Sequence, residues 1–270
     1  MFRADLRGVL LLVLLSSACA PRLMKLPAGP PAPASDVREA LAGATMACRG
    51  VTSFSAEIAV SGSVGDQKVR GRLLAGLASP ASARLEAVAP FGQPLFIFVA
   101  RDADATLLLR DDRVLERARP DAVLAALTGV PVDGAELRTV LTGCTVAADR
   151  EEGRRPGEDW RVVPDGATDV YLHRESRSAP WRIVAAIHKG GGLGDWRAEY
   201  RDFQNGLPRS IRLVSTNRKR FDLRLVLSQV DVNPALGPEV FRVDVPRGAT
   251  PISLEELQEA GPLGVGRPKR

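Results

Sequence analysis

The chain is poor in the side chains that usually carry chemistry. It holds two histidines, His173 and His188, and three cysteines in 270 residues. A zinc site wants three or four His, Cys or acidic ligands at set spacings, and no such set occurs here. Both histidines read as surface residues of polar strands. There is no Gly-x-Ser-x-Gly elbow, and no serine has an evident histidine partner. The glycine-rich run 189–195 lacks the Gly-Lys-Ser/Thr of a phosphate loop and reads as a hairpin turn. The acidic pairs Asp111-Asp112 and Glu151-Glu152 read as solvated turns. The sequence therefore assigns no catalytic residue, no metal and no cofactor, and the chain is not expected to be an enzyme. Aromatics make up only 5% of it. Its net charge of +5 is spread along the chain without interleaved rings. Nucleic acid is not an expected partner. Trp160, Trp181 and Trp196 each begin a strand and read as packing residues.

A second long apolar run is also missing. The first one, Val9 to Leu15, is too short to span a bilayer, which needs about 20 residues. Arg3 and Arg7 precede it and Ser16-Ser17-Ala18 follow it. Residues 1–18 are thus a secretory signal. Cys19 comes next. The arrangement resembles the bacterial lipoprotein signal, in which this cysteine is acylated and becomes the first mature residue. Ser16 departs from that pattern, which usually has Leu there; the alternative is an ordinary secretory signal cleaved nearby. With Ala20 after the cysteine, the resemblance implies the outer membrane, lipid-anchored and facing the periplasm. Residues 19–35 are rich in Pro and Ala and read as an extended, solvated tether. Residues 20–35 would reach roughly 50 Å. Cys48 and Cys144 remain. They are either a disulfide, which an oxidising compartment permits, or two small buried residues.

The body, 36–246, reads as mainly β. A helix is expected over 36–48, with Ser35-Asp36 as its cap. Strands follow at 52–62, 67–77, 83–88, 95–101, 105–110 and 113–117. In the first, Phe54, Ala56, Ile58 and Val60 share one face. Two short helices at 120–127 and 133–141 then change the period. After a charged loop at 149–159, strands resume at 160–163, 168–174, 181–189, 196–203, 208–215 and 221–230. That is about twelve antiparallel strands with short links. Such a sheet either closes into a barrel or curls with helices filling its open mouth. The tail, 247–270, is expected to hold a short helix at 253–259 and then a disordered basic end.

One stretch organises the rest. Residues 84–99 read as two strands joined by a tip, Ala89-Pro90-Phe91-Gly92-Gln93-Pro94. The second strand, 95–99, is apolar on both faces, so both faces should be covered. Phe91 stands between turn-forming residues. From local sequence it either folds onto the core or touches a lipid or partner.

The order of these pieces resembles the LolA/LolB family, and most of all its LolB branch. Val51-Thr52-Ser53-Phe54-Ser55-Ala56 resembles that family's first strand, and Ala89-Pro90-Phe91-Gly92 its Asn-Pro-Leu-Gly tip. The segment from Leu127-Thr128-Gly129-Val130-Pro131-Val132 to Leu141-Thr142-Gly143 resembles its helical pair, with Val140 where the family has Trp. Trp196-Arg197-Ala198-Glu199-Tyr200 and Leu207-Pro208 resemble a later hairpin. The resemblance implies a single curled antiparallel sheet of about 11 strands. The sheet would form an unclosed barrel whose apolar cavity is capped by short helices. Phe54, Ile58, Val60, Leu73, Leu85, Leu95, Ile97, Leu124, Leu137 and Val140 are the candidates to line it. Pro90, Phe91 and Gly92 become the membrane or cargo contact. The implied partners are membrane lipid, acylated lipoprotein cargo and a periplasmic carrier of LolA type, met by a monomer. The competing function is an envelope-assembly or scaffold lipoprotein of the same fold that works through protein–protein contacts.

Overall fold

A computed structural model describes residues 22–28, 32–89, 94–144, 150–190, 194–217 and 220–261. Strand β1 (Ala32–Pro33) precedes helix α1 (Val37–Thr45). A first meander follows: β2 (Ser53–Val64), β3 (Gln67–Ala78), β4 (Ser82–Val88), β5 (Phe96–Arg101), β6 (Asp104–Leu109) and β7 (Arg113–Ala118). Helices α2 (Pro120–Thr128) and α3 (Gly134–Thr142) come next. The second meander is β8 (Arg154–Gly157), β9 (Trp160–Asp165), β10 (Thr168–His173), β11 (Arg182–His188), β12 (Trp196–Arg201), β13 (Ser210–Ser215) and β14 (Phe221–Val232). Strand β15 (Thr250–Pro251) and helix α4 (Leu254–Ala260) finish the described chain.

All fifteen strands form one sheet, in the order β1-β8-β9-β10-β11-β12-β13-β14-β2-β3-β4-β5-β6-β7-β15. The fold is thus a single curled, unclosed, mainly-β sheet with four short helices. The seam between the meanders is β14 against β2, antiparallel from Phe221↔Val64 to Val232↔Phe54. Periodicity explains the long strands. In β2, Phe54, Ala56, Ile58 and Val60 are buried while Ser55, Glu57 and Ala59 are not. The helices follow from their ends. Pro120 opens α2, Asp133 and Glu136 form a reciprocal capping box on α3, and Gly129 and Gly143 end the two helices in the left-handed conformation.

The strands beyond the expected dozen are β1, β8 and β15, of two to four residues each. They are too short to show a period. Strand β8 lies inside the expected charged loop 149–159, because Arg154 and Gly157 pair with β9 while β1 pairs with its other edge. The N-terminal stretch also differs from expectation. The stretch read as a free tether is held at Met24, whose N–H donates to Glu199 Oε1 at 2.8 Å and whose carbonyl accepts from Arg197 Nη2 at 2.6 Å. The C-terminal segment stays on the domain and holds the expected short helix, at Leu254–Ala260. Asn233 turns the chain by accepting from the N–H of Thr52 at 2.8 Å. Arg84 Nη1 then donates to the carbonyls of Val240 and Arg242, at 3.3 and 3.0 Å. The tail next rounds the β7 edge, where β15 pairs parallel. Finally α4 packs on α2 with Leu257 fully buried. Residues 262–270 lie outside the described residues.

Helix α1 covers β9, β10 and β11. Its N-cap, Asp36, makes no side-chain bond to the helix. Instead its two oxygens accept from Arg161 Nε and Nη2, both at 2.6 Å. Arg161 is only 4% exposed because the period of β9 turns it to the inner face, opposite Leu172. Its Nη1 donates to the carbonyls of Gly157, Glu158 and Trp160, and its guanidinium lies 4.8 Å from the Trp181 ring centre. Breaking one side of a buried pair costs more than replacing both. Asp36→Asn is therefore expected to lower stability by about 3 kcal/mol, and Asp36→Leu with Arg161→Met by less. Urea denaturation of the three proteins checks the ranking; a double variant less stable than Asp36→Asn contradicts it.

Candidate functional site

The two meanders and the helices enclose one strongly apolar cavity of about 100 Å³. Ile58, Val60 and Val64 of β2 form its floor, with Val69 and Leu73 of β3 and Leu85 and Ala87 of β4 beside them. Leu213 of β13 and Leu223 and Leu225 of β14 form the far wall. Leu124 and Leu127 of α2 and Leu137, Val140 and Leu141 of α3 are the roof, joined by Val130 and Val132. The one hydroxyl in the lining, that of Thr128, donates back to the Leu124 carbonyl at 2.7 Å. The cavity thus offers no free polar anchor inside. Charge is confined to the rim, where Arg70 and Arg72 lie beside Gly71, Val88 and Leu95.

Eight of the residues expected to line a cavity do so: Ile58, Val60, Leu73, Leu85, Leu95, Leu124, Leu137 and Val140. Phe54 and Ile97 do not. Phe54 is buried on the correct face, but it pairs with Leu77 and Val232 at the far end of β2 from Val64. Ile97 is on the opposite face. Phe96 and Phe98 of β5 are buried opposite Ala87 and Leu85, and period two then turns Ile97 and Val99 outward. Both faces of β5 are nonetheless covered, as its composition predicted, since Phe241 and Val243 of the tail lie by Val99. The wall from β13 and β14 was missed. The alternation Phe221, Leu223, Leu225, Leu227 marks its inner face, but nothing local says that this face meets β2.

Cys48 and Cys144 are joined by a disulfide, with their Cα atoms 6.1 Å apart across 96 positions of sequence. It ties the end of α1 to the end of α3. Pro90, Phe91 and Gly92 lie outside the described residues, as does Cys19. The chain on either side of the tip, Val88 and Leu95, borders the cavity mouth.

His188 is not the surface residue expected from its basic neighbours. Its strand register sets it between Thr168 and Trp196, on the face that Ala186 shares with Val170 and Ala198. It stacks on the Trp196 ring at 3.8 Å and 5°, and Nδ1 is 3.1 Å from Thr168 Oγ1. Nε2 is buried with no partner among the described residues. Burial lowers the imidazole pKa from 6.5 to about 4, so the ring is neutral near pH 7. The unfolded chain takes up a proton first, so this contribution is fully present above pH 6.5 and is lost as the pH falls toward 4. His188→Gln should flatten that decline, which amounts to up to roughly 3 kcal/mol in the wild type. Denaturation midpoints measured at several pH values between these limits check it; parallel profiles would sink the assignment. His173 instead tilts against Trp160, 4.4 Å between ring centres.

Among the described residues no group of His, Cys, Asp and Glu could hold a metal ion, and no helix is long and apolar enough to cross a membrane.

No family model matches the chain, and no curated protein does. Solved structures do show similarity. The LolA superfamily protein NE2245 from Nitrosomonas europaea is 12% identical, with 76% of this chain and 97% of that one covered at a TM-score of 0.43. A DUF1329 family protein from Desulfovibrio piger is 10% identical, covering 77% and 98% at a TM-score of 0.47. The Mycobacterium tuberculosis lipoprotein LppX is 12% identical, covering 74% and 96% at a TM-score of 0.32.

Proposed function

We propose that this chain is an envelope lipoprotein, anchored to the outer membrane through Cys19 and facing the periplasm. On this reading it takes up an acyl chain, free or attached to a lipoprotein, and delivers it to the membrane. The observation that carries the reading is the cavity: an apolar interior without a free polar group, closed by two short helices and charged only at its rim. Each buried methylene contributes about 0.8 kcal/mol. A few methylenes therefore give reversible capture, which suits a protein that must let go. A cavity of 100 Å³ is smaller than the engineered site of about 150 Å³ that accepts benzene. A whole acyl chain thus requires α2 or α3 to lift from the sheet. Moving a lipid between two apolar sites breaks no covalent bond, so the reading needs no catalytic residue. A periplasmic carrier of LolA type is the proposed donor, and the protein acts as a monomer. The tip at Phe91 would enter the membrane during release.

Two outcomes test this. Protein isolated without detergent should carry lipid or acylated peptide detectable by mass spectrometry. Val140→Trp, which fills the roof, should cut uptake of a fluorescent fatty acid at least tenfold while thermal stability is kept. Unchanged uptake by a folded Val140→Trp protein contradicts the cavity as the acyl site. Phe91→Glu is expected to leave uptake intact and to slow transfer to vesicles severalfold; loss of uptake together with loss of fold would instead make Phe91 a core residue.

A further inference from the structure

A row of arginines lies outside the cavity, on the convex face where the meanders meet. Alternation in β12 turns Arg197, Glu199 and Arg201 outward. Arg212 of β13 stands opposite Glu199, and Arg224 of β14 opposite Arg212. The same row continues through Ser61 of β2 to Arg70 of β3. The two acids nearest this row, Glu199 and Asp222, are both already paired. Glu199 is 1% exposed, and its oxygens accept from Met24 N–H at 2.8 Å, Arg197 Nη2 at 2.6 Å and Arg201 Nη2 at 3.2 Å. Arg212 is held by both oxygens of Asp222, at 2.9 and 2.7 Å. Arg70 and Arg224 form no ion pair among the described residues.

A recess of about 40 Å³ opens at the centre of this face. Arg22, Arg201, Arg212 and Arg224 line it, with Ser210 and Glu199. Four guanidinium groups around one neutralised carboxylate make a site for an anion with several oxygens. Val226, 46% exposed, stands outward opposite Ser210, so an apolar side chain sits among the arginines. An exposed apolar residue ringed by cations fits a membrane interface better than open water. The end of the chain points the same way. Arg201 Nη2 holds the carbonyl of Arg22 at 3.3 Å, and only residues 20 and 21 separate Arg22 from Cys19. An extended link of that length reaches about 10 Å. The band then runs to Arg70 and Arg72 at the cavity rim.

We infer that this convex face lies on an anionic phospholipid surface, with the recess taking the phosphate of one headgroup. The placement beside Cys19 rests on the lipoprotein reading above; the recess and its charges do not. The face sets the molecule down flat by its arginine row, so the cavity rim is held at headgroup level.

The test leaves out the anchor. Residues 22–261 share one sheet and one core, so a chain starting at Ala20 keeps every described contact. It should sediment with vesicles containing phosphatidylglycerol and not with phosphatidylcholine alone. Each arginine near an anionic surface is worth about fivefold in partitioning. Arg70→Gln with Arg224→Gln should therefore weaken vesicle binding by roughly 20-fold. Removing an equal charge outside this row, Arg155→Gln in β8 with Arg177→Gln between β10 and β11, should change it less than threefold. Equal losses in the two double variants would overturn the inference, as would equal binding to neutral vesicles. Binding of inorganic phosphate that depends on Arg224, without vesicle binding, would make the recess a soluble-anion site and overturn it too. If the first double variant fails to fold, wild-type binding decides: it must fall steeply between about 0.05 and 0.5 M salt, and a flat response counts against a charged surface.

Discussion

The pairing of β14 with β2 is the contact on which everything else depends. It joins segments separated by most of the chain, from Phe221↔Val64 to Val232↔Phe54. Without it the two meanders are separate sheets, each with a long exposed edge. With it, one concave face gathers Ile58 and Val60 from one meander and Leu213, Leu223 and Leu225 from the other. The cavity lies across that seam. Closing so long a loop costs entropy before any contact rewards it, so the seam must bury apolar surface along its whole length. The row Phe221, Leu223, Leu225 and Leu227, all buried, meets that demand.

A sheet of this length leaves two outer edges that could template another chain. The termini cover both. Strand β1 pairs with β8 at one end and β15 with β7 at the other. These additions are short, but they divert the chain ends to new work. The N-terminal segment continues onto the Glu199 latch. The C-terminal segment carries α4 onto α2. The caps over the cavity are therefore held unequally. Helix α3 is tied covalently to the end of α1 through Cys48 and Cys144, whereas α2 is held by the apolar contacts of α4 around Leu257. A noncovalent strap opens at a cost of a few kcal/mol; a disulfide does not open without a reductant. Of the two caps, helix α2 is the one without a covalent tie.

Much of this architecture is legible in the sequence, for identifiable reasons. The long strands show period two, and α2 and α3 show their proline, capping box and glycines. Eight cavity residues follow from that phase. Ile97 was misplaced because Phe96, Ile97, Phe98 and Val99 are all apolar, so the strand carries no phase of its own; only its pairing with Leu85 and Ala87 supplies one. The inward positions of Arg161 and His188 are illegible in the sequence for a related reason. A charged or polar side chain at an inward position breaks the pattern unless its partners are known, and Asp36 lies 125 positions away from Arg161. The edge strands were invisible because two residues cannot show a period.

The Glu199 latch changes the physical meaning of the Pro-rich leader more than any other contact. Read from composition, that segment is a spacer that lets the body stand roughly 50 Å away from its anchor. In the structure it is docked at Arg22 and Met24 instead. A carboxylate 1% exposed would be costly if left without donors. Met24 N–H, Arg197 and Arg201 supply them, so undocking the leader removes one donor from a buried charge. The same arginines that satisfy Glu199 also grip the leader's carbonyls, at Met24 and Arg22. Leader and carboxylate therefore hold each other in place. Composition sets how far a free segment could reach; three hydrogen bonds, Met24 N–H to Glu199, Arg197 to the Met24 carbonyl and Arg201 to the Arg22 carbonyl, hold this one on the sheet.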